Sequence, residues 1–141
     1  MRRIEAVEPK KIYMGGLDHG SDLLQELSAF CVEKGIELGR VEAIGAVQRA
    51  RIGFYDQTAR EYEFVDLDMP AEITSLNGNI SMKDGKPFVH AHITLYDDDG
   101  GSHGGHLAEG TTVFACEFVI EQFAGPTLDR SLDETTGLTL W

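Results

Sequence analysis

In the stretch "SDLLQELSAFCVEKG", residues 21–35, apolar side chains recur at Leu23, Leu24, Leu27, Phe30 and Cys31. That is the i, i+1, i+4, i+7, i+8 spacing of one buried helix face. Ser21 is the expected N-cap, Asp22 adds negative charge at the positive end of the helix dipole, and Gly35 is the expected stop. The spacing predicts one long helix from about Asp22 to Lys34. Elsewhere the period falls to two. "RVEAIGAVQRARIGFYD" breaks at Gly45 and then alternates Ile52 and Phe54 against Arg51, Gly53 and Tyr55. "REYEFVDLD" alternates Tyr62 and Phe64 before Leu67, and Asp84-Gly85 marks a hairpin between two strands in "AEITSLNGNISMKDGKPFVHAHITLYD". In the last run, "TTVFACEFVIEQF", strict alternation puts Phe114, Cys116, Phe118 and Ile120 on one face. Val113, Ala115, Glu117 and Val119 fall on the other.

One helix among five or six strands with short turns predicts an α+β fold with a largely antiparallel sheet and the helix packed on it. A length of 141 residues suits a single domain over 1–141. The polar tail at 126–141 is expected to fold back through Leu138, Leu140 and Trp141.

Composition adds exclusions. With 42% hydrophobic and 26% charged residues, disorder is a poor reading. No apolar run approaches the roughly 20 residues of a bilayer span, and no apolar segment follows the basic N-terminus, so a cytoplasmic location is expected. Cys31 and Cys116 read as two reduced, buried thiols. Twenty-four acidic against 12 basic residues give a net charge of −12. Nucleic-acid binding depends on cations displacing phosphate counterions, so this charge opposes direct, tight DNA binding by the chain alone. The densest basic cluster, Arg49, Arg51 and Arg60, is spread among acids.

The candidate chemistry lies in "FVHAHITLYDDDGGSHGGHL", residues 88–107, which holds four of the five histidines. On a strand, Val89, Ala91, Ile93 and Leu95 take the core face, while Phe88, His90, His92, Thr94 and Tyr96 take the other. Two imidazoles on one surface can converge on one ion, and His106, reached through Gly104-Gly105, can supply a third donor. Three histidines with an open fourth position form the catalytic rather than the structural zinc pattern. The plainer reading of His90-x-His92 is a pair of solvated histidines. His103 reads as solvent-exposed, His19 as a loop residue, and Asp97-Asp98-Asp99 as a solvated turn without calcium-loop spacing. Glu117 is either an exposed edge residue or, if its strand lies beside the histidine strand, an orienting or acid/base carboxylate.

Four signatures together carry a resemblance: Leu76-Asn77-Gly78, His90-Ala91-His92, Gly104-Gly105-His106-Leu107, and Glu117 on a closing strand. Over about residues 10–125 the chain resembles the PPC domain family, conserved between plants and prokaryotes. The resemblance implies an α+β domain assembling as a homotrimer, with a zinc ion in some prokaryotic members on histidines that map to His90, His92 and His106. It also carries a DNA-binding, gene-regulatory label, earned largely by plant members with AT-hooks; this sequence has no R-G-R-P hook. The fold is also similar to that of acetolactate decarboxylase, which holds zinc with three histidines beside a glutamate. Two function classes follow. One is an oligomeric, DNA-binding or regulatory module with protein partners and a metal-fixed histidine strand. The other is a small zinc-dependent lyase or hydrolase acting on an oxo or hydroxy acid or an ester, with Glu117 as candidate catalytic residue. Imidazole ligands suit zinc, and nickel, copper and iron share the preference.

Overall fold

The computed structural model describes residues 3–141. In chain order the elements are β1 (Glu8–Leu17), α1 (Leu23–Lys34), β2 (Gly39–Asp56), β3 (Glu61–Leu67), β4 (Ala71–Lys83), β5 (Lys86–Tyr96), β6 (Ser102–Leu107), β7 (Thr112–Ala124), β8 (Ser131–Leu132) and β9 (Thr139–Leu140). The first seven strands form a mostly antiparallel sheet in the order β1-β7-β2-β4-β5-β6, with β3 paired to β2. β2 organises it. At 18 residues, its first half pairs with β7 and β4, while its second half pairs with β3 and reaches β6. The β2–β6 contact curls β2, β4, β5 and β6 into a closed wall.

The helix is not long. It runs 12 residues, about three turns, because the chain reverses at Gly35 in the left-handed conformation. There the Gly35 N–H donates to Val32 and the Ile36 N–H to Cys31. The N-cap is Asp22 rather than Ser21. Its two carboxylate oxygens accept from the Gln25 and Gly110 amides, satisfying the helix end and tying it to the β6–β7 turn. The Ser21 hydroxyl donates to Asp18 instead. Leu23, Leu27 and Cys31 are fully buried, and Phe30 meets Tyr13 and Phe118 edge to face.

The core joins these helix residues to the inward faces of the strands. Val89, Ala91, Ile93 and Leu95 are all buried, as their alternation predicts. On β7 the predicted alternation holds from Cys116 through Phe118 to Ile120, all buried, and fails only at the start of the strand. Val113 and Cys116 are buried, whereas Phe114 is exposed, because the register against β2 shifts on either side of Val47. An irregularity of this kind moves side chains to the opposite face. Gly45 marks a neighbouring irregularity with φ near 140°, where a Cβ would sit 2.2 Å from the Ala115 carbonyl oxygen. Only glycine fits there. The Asp84-Gly85 hairpin forms, with both residues at positive φ.

After β7 the chain returns alongside the end of β4, where Asp129 bridges to Met82 in parallel. The Met82 amide donates to Leu128, the Arg130 amide donates to Met82, and β8 and β9 make a short hairpin. Among the described residues no helix is long and apolar enough to cross a membrane.

Candidate metal centre

Strand register brings the three histidines together. His92 on β5 lies directly opposite His106 on β6, and His90 is two residues along the same face. Opposed residues place their Cβ atoms about 5 Å apart. β6 can lie between β5 and β2 because Gly105 has no side chain; a Cβ there would sit 2.7 Å from the Gly53 carbonyl oxygen. One ligand atom from each of His90, His92 and His106 falls within 4.8 Å of the others. The ring centroids are 5.1 to 5.7 Å apart.

His90 and His106 are half-buried and His92 is exposed, so the cluster opens on the His92 side. Burial, reinforced by His106, Arg130 and His92, pushes the His90 imidazole down to about 4. Burial, with His92 and Arg130, also lowers His106. Imidazoles held neutral keep lone pairs available for a metal. The Nδ1 atom of His106 is buried and has no hydrogen-bond partner. A buried nitrogen without a partner is costly unless an ion or donor meets it. These residues therefore fit a transition metal: three imidazoles that bring one nitrogen each to a common place, two of the rings held neutral, with one side open.

Two flanking groups escaped the sequence reading. Tyr62 of β3 lies 4.8 Å, ring to ring, from His106. Arg130 comes from the folded-back tail and is only 9% exposed. It donates to the Ser81 hydroxyl, the Asn79 side-chain oxygen and the Thr139 carbonyl, and its Nη2 lies 3.5 Å from His90 Nδ1. A lone arginine in a polar tail gives no local signal of such a contact.

The other candidates lie elsewhere. β7 pairs with β1 and β2, so two strands, β2 and β4, separate Glu117 from the histidine strand. Glu117 is exposed, between Gly16 and Ile44. His103 is not solvent-exposed but half-buried, with Nε2 2.7 Å from Asp97. Asp97 itself is buried and accepts from the Asp99 and Gly101 amides, so the acidic turn is anchored rather than fully solvated. The His103 contact and the Gly101 amide hold its carboxyl below the usual range. His19 is an exposed loop residue held by the Phe114 carbonyl. Arg49 and Arg51 face Asp68 and Asp66.

The profile of the Plants and Prokaryotes Conserved (PCC) domain, also written PPC, matches residues 4–124. The chain belongs to the PPC family. Among solved structures, it is 45% identical to a metal-containing protein from Archaeoglobus fulgidus, with a TM-score of 0.95 over 99% of both chains. It is 34% identical to a PPC protein from Pyrococcus horikoshii, with a TM-score of 0.92 over 96% of this chain and 94% of that one. A protein from Bacteroides thetaiotaomicron named "putative DNA binding protein" is 29% identical, with a TM-score of 0.86 over 95% of each chain. Curated relatives from two Synechococcus strains, both named bifunctional protein GlmU, are 33% and 32% identical over 129 residues. This PPC chain spans only 19–20% of their length. Arg130, Leu140 and Trp141 lie beyond the family-matched residues.

Proposed function

We propose that this protein is a zinc-binding PPC module that works as a homotrimer in gene regulation, with His90, His92 and His106 as the metal ligands. The observation that carries the metal assignment is the convergence of one imidazole nitrogen from each of three histidines within 4.8 Å of one another. The name of the Archaeoglobus relative supports it. Trimer formation is supported by an uncovered sheet face, where Ile12, Met14 and Ile44 stand 62%, 82% and 58% exposed. The regulatory role rests on family membership and on the name of the Bacteroides relative. With a charge of −12, action through protein partners is favoured over direct duplex contact.

Metal content per chain, measured by plasma mass spectrometry on untagged protein, tests the centre. Near-stoichiometric zinc in the wild type and none in His90→Ala/His106→Ala is expected; no metal in either after zinc incubation refutes it. Light scattering tests the trimer, and a monomer at micromolar concentration refutes it. Duplex titrations at 50 and 200 mM salt test the DNA role, and tight, steeply salt-dependent binding would overturn the preference for protein partners.

A second reading is favoured by the open His92 side and the flanking Tyr62 and Arg130: a small zinc-dependent lyase or hydrolase for an oxo or hydroxy acid or an ester. Zinc would supply Lewis acidity. Tyr62, rather than the distant Glu117, is then the group poised beside His106.

A further inference from the structure

A cavity of about 270 Å³ adjoins the histidine cluster, lined by Asn79, His90, Arg130, Leu140 and Trp141. One wall is polar and cationic, the other apolar. Arg130 is buried, yet the groups it bonds (Ser81, Asn79 and Thr139) are all uncharged. None of the ion pairs among the described residues includes it. Its guanidinium instead lies 4.3 Å from the Trp141 ring and 5.3 Å from Phe88. Ring faces offset a cation only partly. On a chain with 12 negative charges in excess, this corner is a local reversal of sign.

The reversal grows when the neighbouring centre is filled. Three neutral imidazoles leave both charges of a divalent ion uncompensated, and the partner of a ligating histidine is commonly a carboxylate or carbonyl. Here the neighbour of His90 Nδ1, at 3.5 Å, is the Arg130 guanidinium, which brings no negative charge to the centre. A buried charge is stable only when paired. Two uncompensated cationic groups beside one cavity call for an anion between them. A carboxylate answers the fork of a guanidinium and is also a metal ligand.

We propose that this cavity binds a small organic carboxylate, held by Arg130 and the metal and packing its apolar part on Leu140 and Trp141. The proposal rests on the reading of His90, His92 and His106 as a metal centre. It adds the ligand class and assigns its recognition to the C-terminal tail. Arg130, Leu140 and Trp141 lie on the tail beyond the family-matched residues, so the tail supplies the groups that recognise the acid and the domain supplies the metal ligands. The cavity lies near the lower end of ligand-site volumes, roughly 300 Å³, which restricts the ligand to a small acid.

Mandelate and its neutral analogue mandelamide, which share the hydroxyl and the ring, make the test. Each is titrated calorimetrically into zinc-loaded wild-type protein, with inorganic phosphate as a second anion and zinc content measured on the same samples. Mandelate is expected to bind at least tenfold more tightly than mandelamide or phosphate. On zinc-saturated protein, Arg130→Gln is expected to weaken mandelate at least tenfold, and Trp141→Ala to weaken it with circular dichroism unchanged. Zinc-replete protein that binds mandelamide equally well, prefers phosphate, or binds none of the three overturns the carboxylate site and leaves the metal centre standing. Protein that takes up no zinc overturns both. The comparison of acid with amide needs no variant, so a misfolded Arg130→Gln does not shield the proposal.

Discussion

Gly105→Ala probes the seam that closes the sheet and seats His106. A Cβ at this position would lie 2.7 Å from the Gly53 carbonyl oxygen and 3.4 Å from Ile52 Cβ, so β6 must move about 0.7 Å from β2 to restore ordinary contact. The seam cannot spread that displacement, since it consists of two register pairs, Ile52 with Leu107 and Gly53 with His106. Overpacking of this kind costs about 1–3 kcal/mol, roughly 3–9 °C in Tm for a domain of this size. His106 is the next residue, and metal–ligand distances tolerate only about 0.2 Å. Zinc affinity should therefore fall at least about tenfold, on the order of 1.4 kcal/mol. Thermal unfolding of the metal-free protein and zinc competition against a chromogenic chelator read the two effects separately. Gly104→Ala is the control: its Cβ would meet the Ile93 carbonyl oxygen at 3.2 Å, a contact relieved by a few tenths of an ångström. A Gly105→Ala protein as stable as the control, or one that loses stability while binding zinc like the wild type, would refute this account of the seam.

Leu27→Ala removes a fully buried side chain beneath the sheet and should cost about 2–5 kcal/mol by urea unfolding with an unchanged slope. Burial raises the thiols to about 12 for Cys31 and about 11 for Cys116, so neither should react with a disulfide reagent at pH 8 until urea unfolds the chain, when two thiols per chain appear. Asp97 is held below the ordinary carboxyl value by His103 and the Gly101 amide. A depressed folded value contributes stability above the unfolded value of about 3.9 that is lost as pH falls through the folded one. Unfolding midpoints from pH 6 to 2.5 should thus fall below about pH 4, and Asp97→Asn should flatten that segment; equal slopes would contradict it.

Much of this molecule is legible along the chain. The 3.6-residue period places Leu23, Leu27 and Cys31 on one helix face, and the two-residue period sorts Val89 to Leu95 from His90 and His92, because both signals need only local geometry. The Asp84-Gly85 turn is equally local. What local geometry cannot encode is which strands become neighbours. The choice of Asp22 over Ser21 as cap and the displacement of Phe114 to the surface depend on where Gly110, β2 and β7 lie in space. Glu117 and the histidines share a motif in sequence, yet two strands part them, since β7 pairs with β2 and not with β5. The same pairing energetics that exclude Glu117 draw in Tyr62 and, through the returning tail, Arg130. The sequence by itself determined the ligand-bearing strand and its face. Only the tertiary structure decided what surrounds it, because that depends on contacts between segments some 40 residues apart, such as Arg130 with His90.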